Sequence, residues 1–348
     1  MRTTRILIAI FAILLVAGAP ALAQEAVAAL PSSYTLFGVT HIYQGWNNCG
    51  PATLTMGLTY FGYPADQTPA AQWLKPNNED KNVSPWQMVE YVNQHTAGDV
   101  RALLRYGGTL DRLKTLVANN FPVLVESGYD PVSANQGWMG HYLLVTGYDD
   151  GRAQVITQDS YDGPDLAYSY DHIREYWKHF NYLYIILYPP AREAEMMTLL
   201  GSDADETMNL YNTLSLAQQD AIANRDDPFA WFNIGSSYTH LGMYAEAASA
   251  FDFARNTTSG LPWRMLWYQF TPYEAYLAVG RTDEVIQLAR ATLDDGGGQF
   301  VEETYYYGGL ARQAMGERDR AIDNLNGAIS FNPNFSPARE ARDQLMGS

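Results

Sequence analysis

The sequence predicts an α+β domain, in which helices precede an antiparallel sheet, followed by an all-α repeat region. Two observations support this division of the 348 residues. Over residues 34–190, segments with apolar residues three or four apart come first, and short aromatic and β-branched segments follow them. Over residues 228–348 the spacing is helical and a motif recurs. Helices followed by strands favour α+β over a doubly wound sheet, in which the two alternate.

The first 23 residues have the three parts of a secretory signal peptide. Arg2 and Arg5 form a basic start, residues 6–16 are continuously apolar, and residues 21–23 read Ala-Leu-Ala, a small-x-small cleavage site. An apolar run this short is less suited to an uncleaved membrane anchor, which is the alternative. We therefore expect a chain that is secreted or held outside the cytoplasm, with no membrane span after cleavage.

Three helices are expected in the first part of the α+β domain. One begins in the stretch QGWNNCGP, residues 44–51, with Pro51 in its first turn and Gly62 after its end. A second begins at Ser84 and Gln87, which have the spacing of a capping box. A third contains leucines three apart, in the segment TLDRLKTLVANN.

Four strands are expected after these helices, at residues 121–129, 140–150, 153–160 and 182–190. The second and third are separated by Asp-Asp-Gly at 149–151, which is typical of a tight hairpin turn. Antiparallel pairing across that turn would bring the end of the third strand close to the start of the second.

Residues 191–227 read as a helical connector, and residues 228–348 as about three tetratricopeptide repeats with a capping helix. That repeat places aromatic, small and apolar residues at fixed spacings along two helices. The positions are occupied in the first copy by Trp231, Ile234, Gly235, Tyr238, Gly242, Ala247, Phe251 and Ala254, and in the last copy by Tyr305, Gly309, Gly316, Ala321, Leu325, Ala328 and Pro333. A degenerate copy surrounds Gly280. Stacked repeats present a concave face, so we expect this region to recruit a protein partner.

Composition excludes some classes of partner. The formal net charge of −16 gives the chain a dense negative field, which repels nucleic acid and anionic membrane surfaces. The six histidines and one cysteine form no metal-ligand motif. We therefore expect no nucleic-acid partner, no metal site and no cofactor.

The single cysteine, Cys49, is the first candidate for chemistry. Exported chains normally pair their cysteines, so an unpaired one is an intermolecular link, an inert buried thiol or a reactive nucleophile. Cys49 stands at the predicted helix start, where free N–H groups and the helix dipole stabilise a thiolate. This position favours the nucleophile.

A nucleophilic thiol needs a base, a group that orients the base, and donors for an oxyanion. His141 is the candidate base, because it begins an apolar strand after a glycine-rich loop. Asp159 is the candidate orienting group, since it ends the strand that follows in the predicted hairpin. Gln44, five residues before Cys49, is a candidate oxyanion donor together with the Cys49 N–H.

Other residues are weaker candidates. His41 is an alternative base and Asp162 an alternative acid, whereas Asp149 and Asp150 look like turn residues. The remaining histidines lie in predicted helices or repeats: His95, His172, His179 and His240. Each candidate also has a structural reading, in which Cys49 is a small buried side chain and Asp159 caps a turn.

The segments YQGWNNCGPATLTMGLTYFG, GHYLLVTGYDDG and TQDSYDGP together resemble the bacteriocin-processing (double-glycine-leader) cysteine peptidases, in their broader C-thirty-nine-like branch. The resemblance covers about residues 36–190 and implies a papain-like fold. It also implies that Cys49 is the nucleophile, His141 the base, Asp159 the orienting group and Gln44 the oxyanion donor. The implied reaction is cleavage of a peptide bond through a thioester.

These observations favour an exported cysteine peptidase-like hydrolase whose repeat region recruits a protein partner or substrate. The first alternative is a catalytically silent papain-fold module that binds a peptide on a repeat scaffold. A third reading is an acyltransferase or amidase that uses the same thiol. Reactivity of Cys49 toward iodoacetamide separates the first two, because only an active site would hold the sulfur as a thiolate.

Overall fold

A seven-stranded antiparallel sheet is the centre of the N-terminal half of the molecule. The structure is a computed structural model that describes residues 30–130 and 137–347, so the predicted signal peptide, residues 1–23, lies outside the described residues. From Pro31 onward the chain forms one compact unit. The strands are β1 (Ser33–Thr35), β2 (Arg101–Arg105), β3 (Val123–Tyr129), β4 (Met139–Asp149), β5 (Gln154–Asp159), β6 (Gly163–Ser169) and β7 (Tyr184–Tyr188).

Hydrogen bonds join the strands in the order β2-β7-β3-β4-β5-β6, and β1 pairs with the end of β4. All neighbouring strands are antiparallel, which confirms the predicted antiparallel sheet. The four predicted strands correspond to β3, β4, β5 and β7. The sequence analysis missed β1, β2 and β6, because β1 and β2 are short and β6 contains glycine, proline and aspartate.

Five helices accompany the sheet in the described part of this region: α1 (Cys49–Thr59), α2 (Thr68–Leu74), α3 (Pro85–His95), α4 (Leu110–Ala118) and α5 (Tyr170–Lys178). The three predicted helices correspond to α1, α3 and α4. At the start of α3 the Ser84 N–H donates to the Gln87 side chain over 2.8 Å, as the capping-box spacing predicts.

Helix α1 is buried along its length after Cys49 and lies against one face of the sheet. This face contributes Leu124, Leu144 and Leu187 to the core that it shares with the helix. A Cβ at Gly57 would stand 2.6 Å from the side chain of Leu187, so glycine lets the helix approach the sheet closely. The N-terminus of α1 is thereby fixed above strand β4.

The opposite face of the sheet packs against α4 and α5. Its core contains Val123 and Val125 of β3 and Leu143 of β4, together with Leu113 and the ring of Trp177 from the two helices. Successive side chains of a strand point to opposite faces of the sheet, so β3 and β4 contribute alternate residues to the two cores.

The C-terminal region is rich in helices. After α6 (Glu193–Leu200) and α7 (Glu206–Ala223), it contains α8 (Pro228–His240), α9 (Tyr244–Arg255), α10 (Thr271–Ala278), α11 (Thr282–Asp294), α12 (Glu302–Ala314), α13 (Arg318–Phe331) and α14 (Ser336–Gly347). Short turns join α8 to α9, α10 to α11 and α12 to α13. Each turn has a glycine with φ between 73° and 79°, namely Gly242, Gly280 and Gly316, a conformation that favours glycine. Within the described chain, no helix has the length and apolarity needed to cross a membrane.

The C-terminal helices pack directly on the sheet region. The Ser84 hydroxyl donates to Glu303 over 2.6 Å, and Asn334 Nδ2 donates to the Trp73 carbonyl over 2.9 Å. Tyr268 contributes to the same hydrophobic core as the apolar residues of α1 and α3. The C-terminal helices therefore border the face of the sheet on which α1 lies.

Candidate active site

Cys49 is the first residue of α1 and lies beside His141 and Tyr142, near the start of β4. The Thr53 hydroxyl, one turn along the helix, donates to the Tyr142 carbonyl over 3.1 Å and fixes the helix start to that strand. Backbone N–H groups of Gly50 and Tyr142 hydrogen-bond the Cys49 sulfur. The thiol is partly buried and is the one free cysteine. Its position combines the end of a helix with donors from the sheet.

The loop before Cys49 is held by Gln67. The Gln67 Oε1 accepts from the Gly45 N–H over 2.9 Å and from the Asn48 side chain over 3.2 Å, and its Nε2 donates to the Tyr43 carbonyl over 2.8 Å. One amide side chain therefore connects three residues of the loop. These contacts fix the backbone that delivers Cys49 to the helix start.

His141 and Asp159 meet across the β4–β5 hairpin. Leu143 pairs with Asp159 in the sheet, and His141 lies two residues before Leu143 on the same face. The His141 Nε2 and the Asp159 Oδ1 are 2.8 Å apart. The imidazole also hydrogen-bonds the Cys49 sulfur, and because Nε2 faces Asp159, the nitrogen available to the sulfur is Nδ1.

Asp159 is completely buried and accepts hydrogen bonds at both oxygens. Besides His141, its Oδ1 accepts from the backbone N–H groups of Tyr161 and Asp162 over 2.8 and 3.0 Å. Its Oδ2 accepts from the Tyr168 hydroxyl over 3.0 Å. Four donors therefore hold the carboxylate in one orientation.

These contacts shift three pKa values in directions that favour an ion pair. Burial raises the pKa of the Cys49 thiol, but His141 and the two backbone N–H groups outweigh it and hold that pKa below its usual range. Burial lowers the pKa of His141, but Asp159 and the sulfur outweigh it and raise that pKa to about 10. Burial raises the pKa of Asp159, but its donors, His141 first, lower it to about 2. These shifts favour a thiolate and an imidazolium for the Cys49–His141 pair, beside an ionised Asp159.

Gln44 is positioned by the residue that follows Asp159. The Gln44 N–H donates to the Ser160 carbonyl over 2.8 Å, and the Ser160 hydroxyl donates to the Gln44 Oε1 over 2.9 Å. Because Oε1 is the acceptor, the Nε2 group is turned away from Ser160. It has no acceptor among the described residues. The end of β5 therefore positions both the acid and the amide.

The structure does not bring the weaker candidates into this group. The His41 Nδ1 pairs with Gln158 Oε1 at 3.1 Å, and the Asp162 carboxylate accepts from the Tyr129 hydroxyl over 3.1 Å. The other histidines stack on aromatic rings: His95 on Tyr91, His172 on Tyr168, His179 on Phe229 and His240 on Tyr106. In residues 30–130 and 137–347, no three histidine, cysteine or acidic side chains are grouped as metal ligands.

Sequence reasoning missed the residues that support the site. Tyr168, which donates to Asp159, lies on β6, a strand that the sequence pattern did not predict. Tyr129, whose ring centre is 5.2 Å from that of His141, lies on β3 and looked like an ordinary strand aromatic. No motif in the sequence marks either residue.

One family profile and two solved structures are similar to the N-terminal part or to about 45% of this chain. The sequence profile of the Peptidase_C39 like family matches residues 34–185. A solved structure of a C39-like peptidase from Bacillus anthracis is similar, with 17% identity, coverage of 45% of this chain and 97% of that chain, and a TM-score of 0.37. Another, described as the MamA RS-1 ArsTM double mutant, has 14% identity, coverage of 44% and 82%, and a TM-score of 0.35. No curated protein matches. The family match indicates a cysteine peptidase-like fold for residues 34–185.

Proposed function

We propose that this protein is an exported cysteine peptidase-like hydrolase that cleaves a peptide or related amide bond. The observation that carries the proposal is the hydrogen-bonded series of Cys49, His141 and Asp159. A nucleophile, a proton donor and an orienting carboxylate in this order are the parts that thiol hydrolysis needs. The family match over residues 34–185 supports the same class of chemistry.

The reaction begins from the ion pair. The Cys49 thiolate attacks the carbonyl carbon of the substrate, and the carbonyl electron pair moves to its oxygen. The imidazolium of His141 gives its Nδ1 proton to the leaving amine as the carbon–nitrogen bond breaks, which leaves a thioester. Neutral His141 then takes a proton from water, the hydroxide attacks the thioester, and the acid leaves as the thiolate returns.

The oxyanion of each tetrahedral intermediate needs donors that are already oriented. We assign this role to the Nε2 group of Gln44 and the backbone N–H of Cys49. The Gln44 amide is held by Ser160 with Nε2 unpaired, which supports the assignment. Throughout both steps Asp159 remains ionised and keeps His141 turned toward the sulfur.

We propose further that residues 228–348 are tetratricopeptide repeats that recruit a protein partner or substrate, and that residues 191–227 connect them to a papain-like domain at 34–190. The helix pairs α8–α9, α10–α11 and α12–α13, with a glycine in each turn, support the repeats. Export rests on the sequence of residues 1–23. N-terminal sequencing of the mature protein should find Gln24 first.

A peptide-library digest tests the hydrolase directly. Purified protein is incubated with a mixed peptide library, and new termini are compared with those from Cys49→Ala protein. Wild type should generate cleavage products and Cys49→Ala should generate none. Asp162→Asn is the matched control, because it removes a neighbouring carboxylate outside the series. If wild type retains peptides but cuts none, the silent peptide-binding module is the better description.

A further inference from the structure

A cavity of about 170 Å³ lies between the sheet region and the C-terminal helices. Its walls come from both regions, with Glu126 and Asn181 on the sheet side and Tyr268 and Glu274 on the helix side. Since about 30 Å³ is the share of one water molecule, the space equals roughly six waters. A single long side chain would fill it.

Residues of the cavity wall contact the strand that carries His141. Glu126 on β3 pairs with Tyr142 on β4, the residue after His141, and its carboxyl interacts with the charges of both Cys49 and His141. On the other wall, the Tyr268 hydroxyl hydrogen-bonds the backbone of Gly140, the residue before His141. A Cβ at Gly140 would lie 2.8 Å from the Tyr268 ring, so glycine permits this contact. The C-terminal helices therefore form one wall of the cavity and contact the residue that precedes His141.

The cavity lining has an excess of hydrogen-bond acceptors. Glu126 is 2% exposed, and its carboxyl hydrogen-bonds the Tyr142 side chain, whose hydroxyl also donates to the Val83 carbonyl over 2.9 Å. Asn181 is also 2% exposed, and its Oδ1 has no donor among the described residues, since its Nδ2 is bonded to Ser237.

Glu274 adds a second carboxylate, and neither Glu126 nor Glu274 has an ion-pair partner in the described chain. The described lining residues include no lysine or arginine, and the one histidine, His240, stacks on Tyr106 at 4.9 Å. The lining thus offers two carboxyls and one unpaired amide oxygen without a cation to match them.

We propose that this cavity is a specificity pocket for a cationic side chain, lysine or arginine, of the peptide substrate. The proposal rests on the hydrolase function proposed above and names its substrate class. An ammonium or guanidinium carries donors and no acceptors, so it matches Glu126, Glu274 and the Asn181 oxygen at once. The C-terminal helices then select the substrate at the site itself, besides any recruitment by their outer surface.

The pKa shifts of the two pocket carboxyls agree with this role. Burial raises the pKa of Glu126 well above its ordinary value, and burial raises the pKa of Glu274 as well. Burial without a nearby cation thus disfavours the charged form of both carboxyls. An ammonium group that enters the pocket stabilises the ionised carboxylates, so its binding releases their protons. An apolar side chain makes no favourable interaction with these carboxyls.

Two thiol reagents test the pocket without requiring hydrolysis. Cys49 is modified with cationic aminoethyl methanethiosulfonate and with neutral methyl methanethiosulfonate, and the ratio of the two rates is measured. In wild type the cationic reagent should be favoured, and the ratio should fall about fivefold or more in Glu274→Gln and in Glu126→Gln. The control is Glu340→Gln, which makes the same charge change on the exposed surface of α14. Equal ratios in all four proteins would overturn the pocket.

Peptide cleavage provides the second test. Wild type should cleave lysine or arginine peptides about tenfold or more faster, by kcat/KM, than otherwise identical norleucine peptides, since hydrogen bonds to charged groups discriminate strongly. The ratio of kcat/KM for the basic peptide to that for the norleucine peptide should fall in Glu274→Gln and be unchanged in Glu340→Gln. Cleavage by wild type without any basic preference would overturn the pocket and leave the hydrolase standing. No cleavage of any peptide would remove the hydrolase, while the reagent ratio would still decide whether the pocket attracts a cation.

Discussion

Two parts of this molecule bury carboxyl groups, and the pKa values of these groups are shifted in opposite directions. Asp159, in the candidate active site, is completely buried, and its pKa is lowered to about 2. Asp80, Glu302 and Glu303 lie where the C-terminal helices meet the sheet region and are 2%, 2% and 3% exposed. Burial raises the pKa of each of these three groups.

The difference lies in the donors that each part supplies. Asp159 receives two backbone N–H groups, a tyrosine hydroxyl and the imidazolium of His141. At the interface, Glu303 receives the Ser84 hydroxyl and its own backbone N–H. Glu302 receives the side-chain amides of Asn332 and Gln87 and hydrogen-bonds the carboxyl of Asp80. One oxygen of each glutamate has no partner among the described residues. Buried carboxyls that have neutral donors and other carboxyls beside them have raised pKa values.

A cation is also placed differently in the two parts. His141 touches Asp159 directly, whereas the buried Lys75 acts on Asp80 only through space, and its Nζ donates to the Asn78 carbonyl over 3.1 Å. Equal burial thus accompanies a lowered carboxyl pKa in one place and raised carboxyl pKa values in the other. Burial alone does not predict the charge of a carboxyl in this chain.

The largest expected effect comes from removing the charge of Asp159. Asp159→Asn keeps the shape of the side chain but no longer stabilises the imidazolium, so the pKa of His141 falls and the thiolate is lost near neutral pH. We expect kcat/KM to fall by about 10²–10⁴-fold. In Asp162→Asn, which changes a nearby carboxylate, kcat/KM should fall by less than about threefold. Equal losses in the two variants would mean that Asp159 has no special role.

A smaller effect is expected at the interface, where neutralising a carboxyl should stabilise the protein. Because the pKa of Glu303 is raised in the folded state, its contribution to stability is present below its unfolded value, near 4, and is lost as the pH rises through the folded value. Glu303→Gln removes this loss. In urea unfolding, the free energy of unfolding of Glu303→Gln should exceed that of wild type by about 1–2 kcal/mol at pH 8 and by little at pH 5. One pKa unit corresponds to about 1.4 kcal/mol.

The surface variant Glu340→Gln is the control for the change in net charge. It should show no such dependence on pH. A gain for Glu303→Gln that is the same at pH 5 and pH 8 would mean that Glu303 is not protonated in the folded protein.

The smallest effect is expected from Tyr168→Phe, which removes one of the four donors to Asp159. The carboxylate remains ionised, so kcat/KM at pH 7 should fall only about threefold, since a single hydrogen bond contributes about 1 kcal/mol. The alkaline limb of the pH–rate profile should move to lower pH, because a less firmly held Asp159 supports the imidazolium less. A loss of rate with an unchanged profile would indicate a purely structural role.

The sequence predicted the parts of the site that depend on local patterns. A helix-start motif located Cys49, and the hairpin turn with its strand periods placed Asp159 near His141. Tyr168 could not be predicted, since β6 lacks alternating apolar residues. The interface carboxyls could not be predicted either. Glu302 and Glu303 stand in the first turn of α12, where acidic residues usually face solvent, and their burial depends on contacts with residues 80–87 far away in the chain.

The ionisation of Cys49 is the most direct test of the proposed site. The rate of its alkylation by iodoacetamide is measured from pH 5 to pH 10 in wild type and in His141→Ala, by mass spectrometry of the single cysteine. We expect the wild-type rate to rise with an apparent pKa well below the usual thiol value of about 8.5, and His141→Ala to move it upward by at least about one unit. A wild-type pKa at or above about 8.5 that His141→Ala leaves unchanged would contradict the thiolate–imidazolium pair.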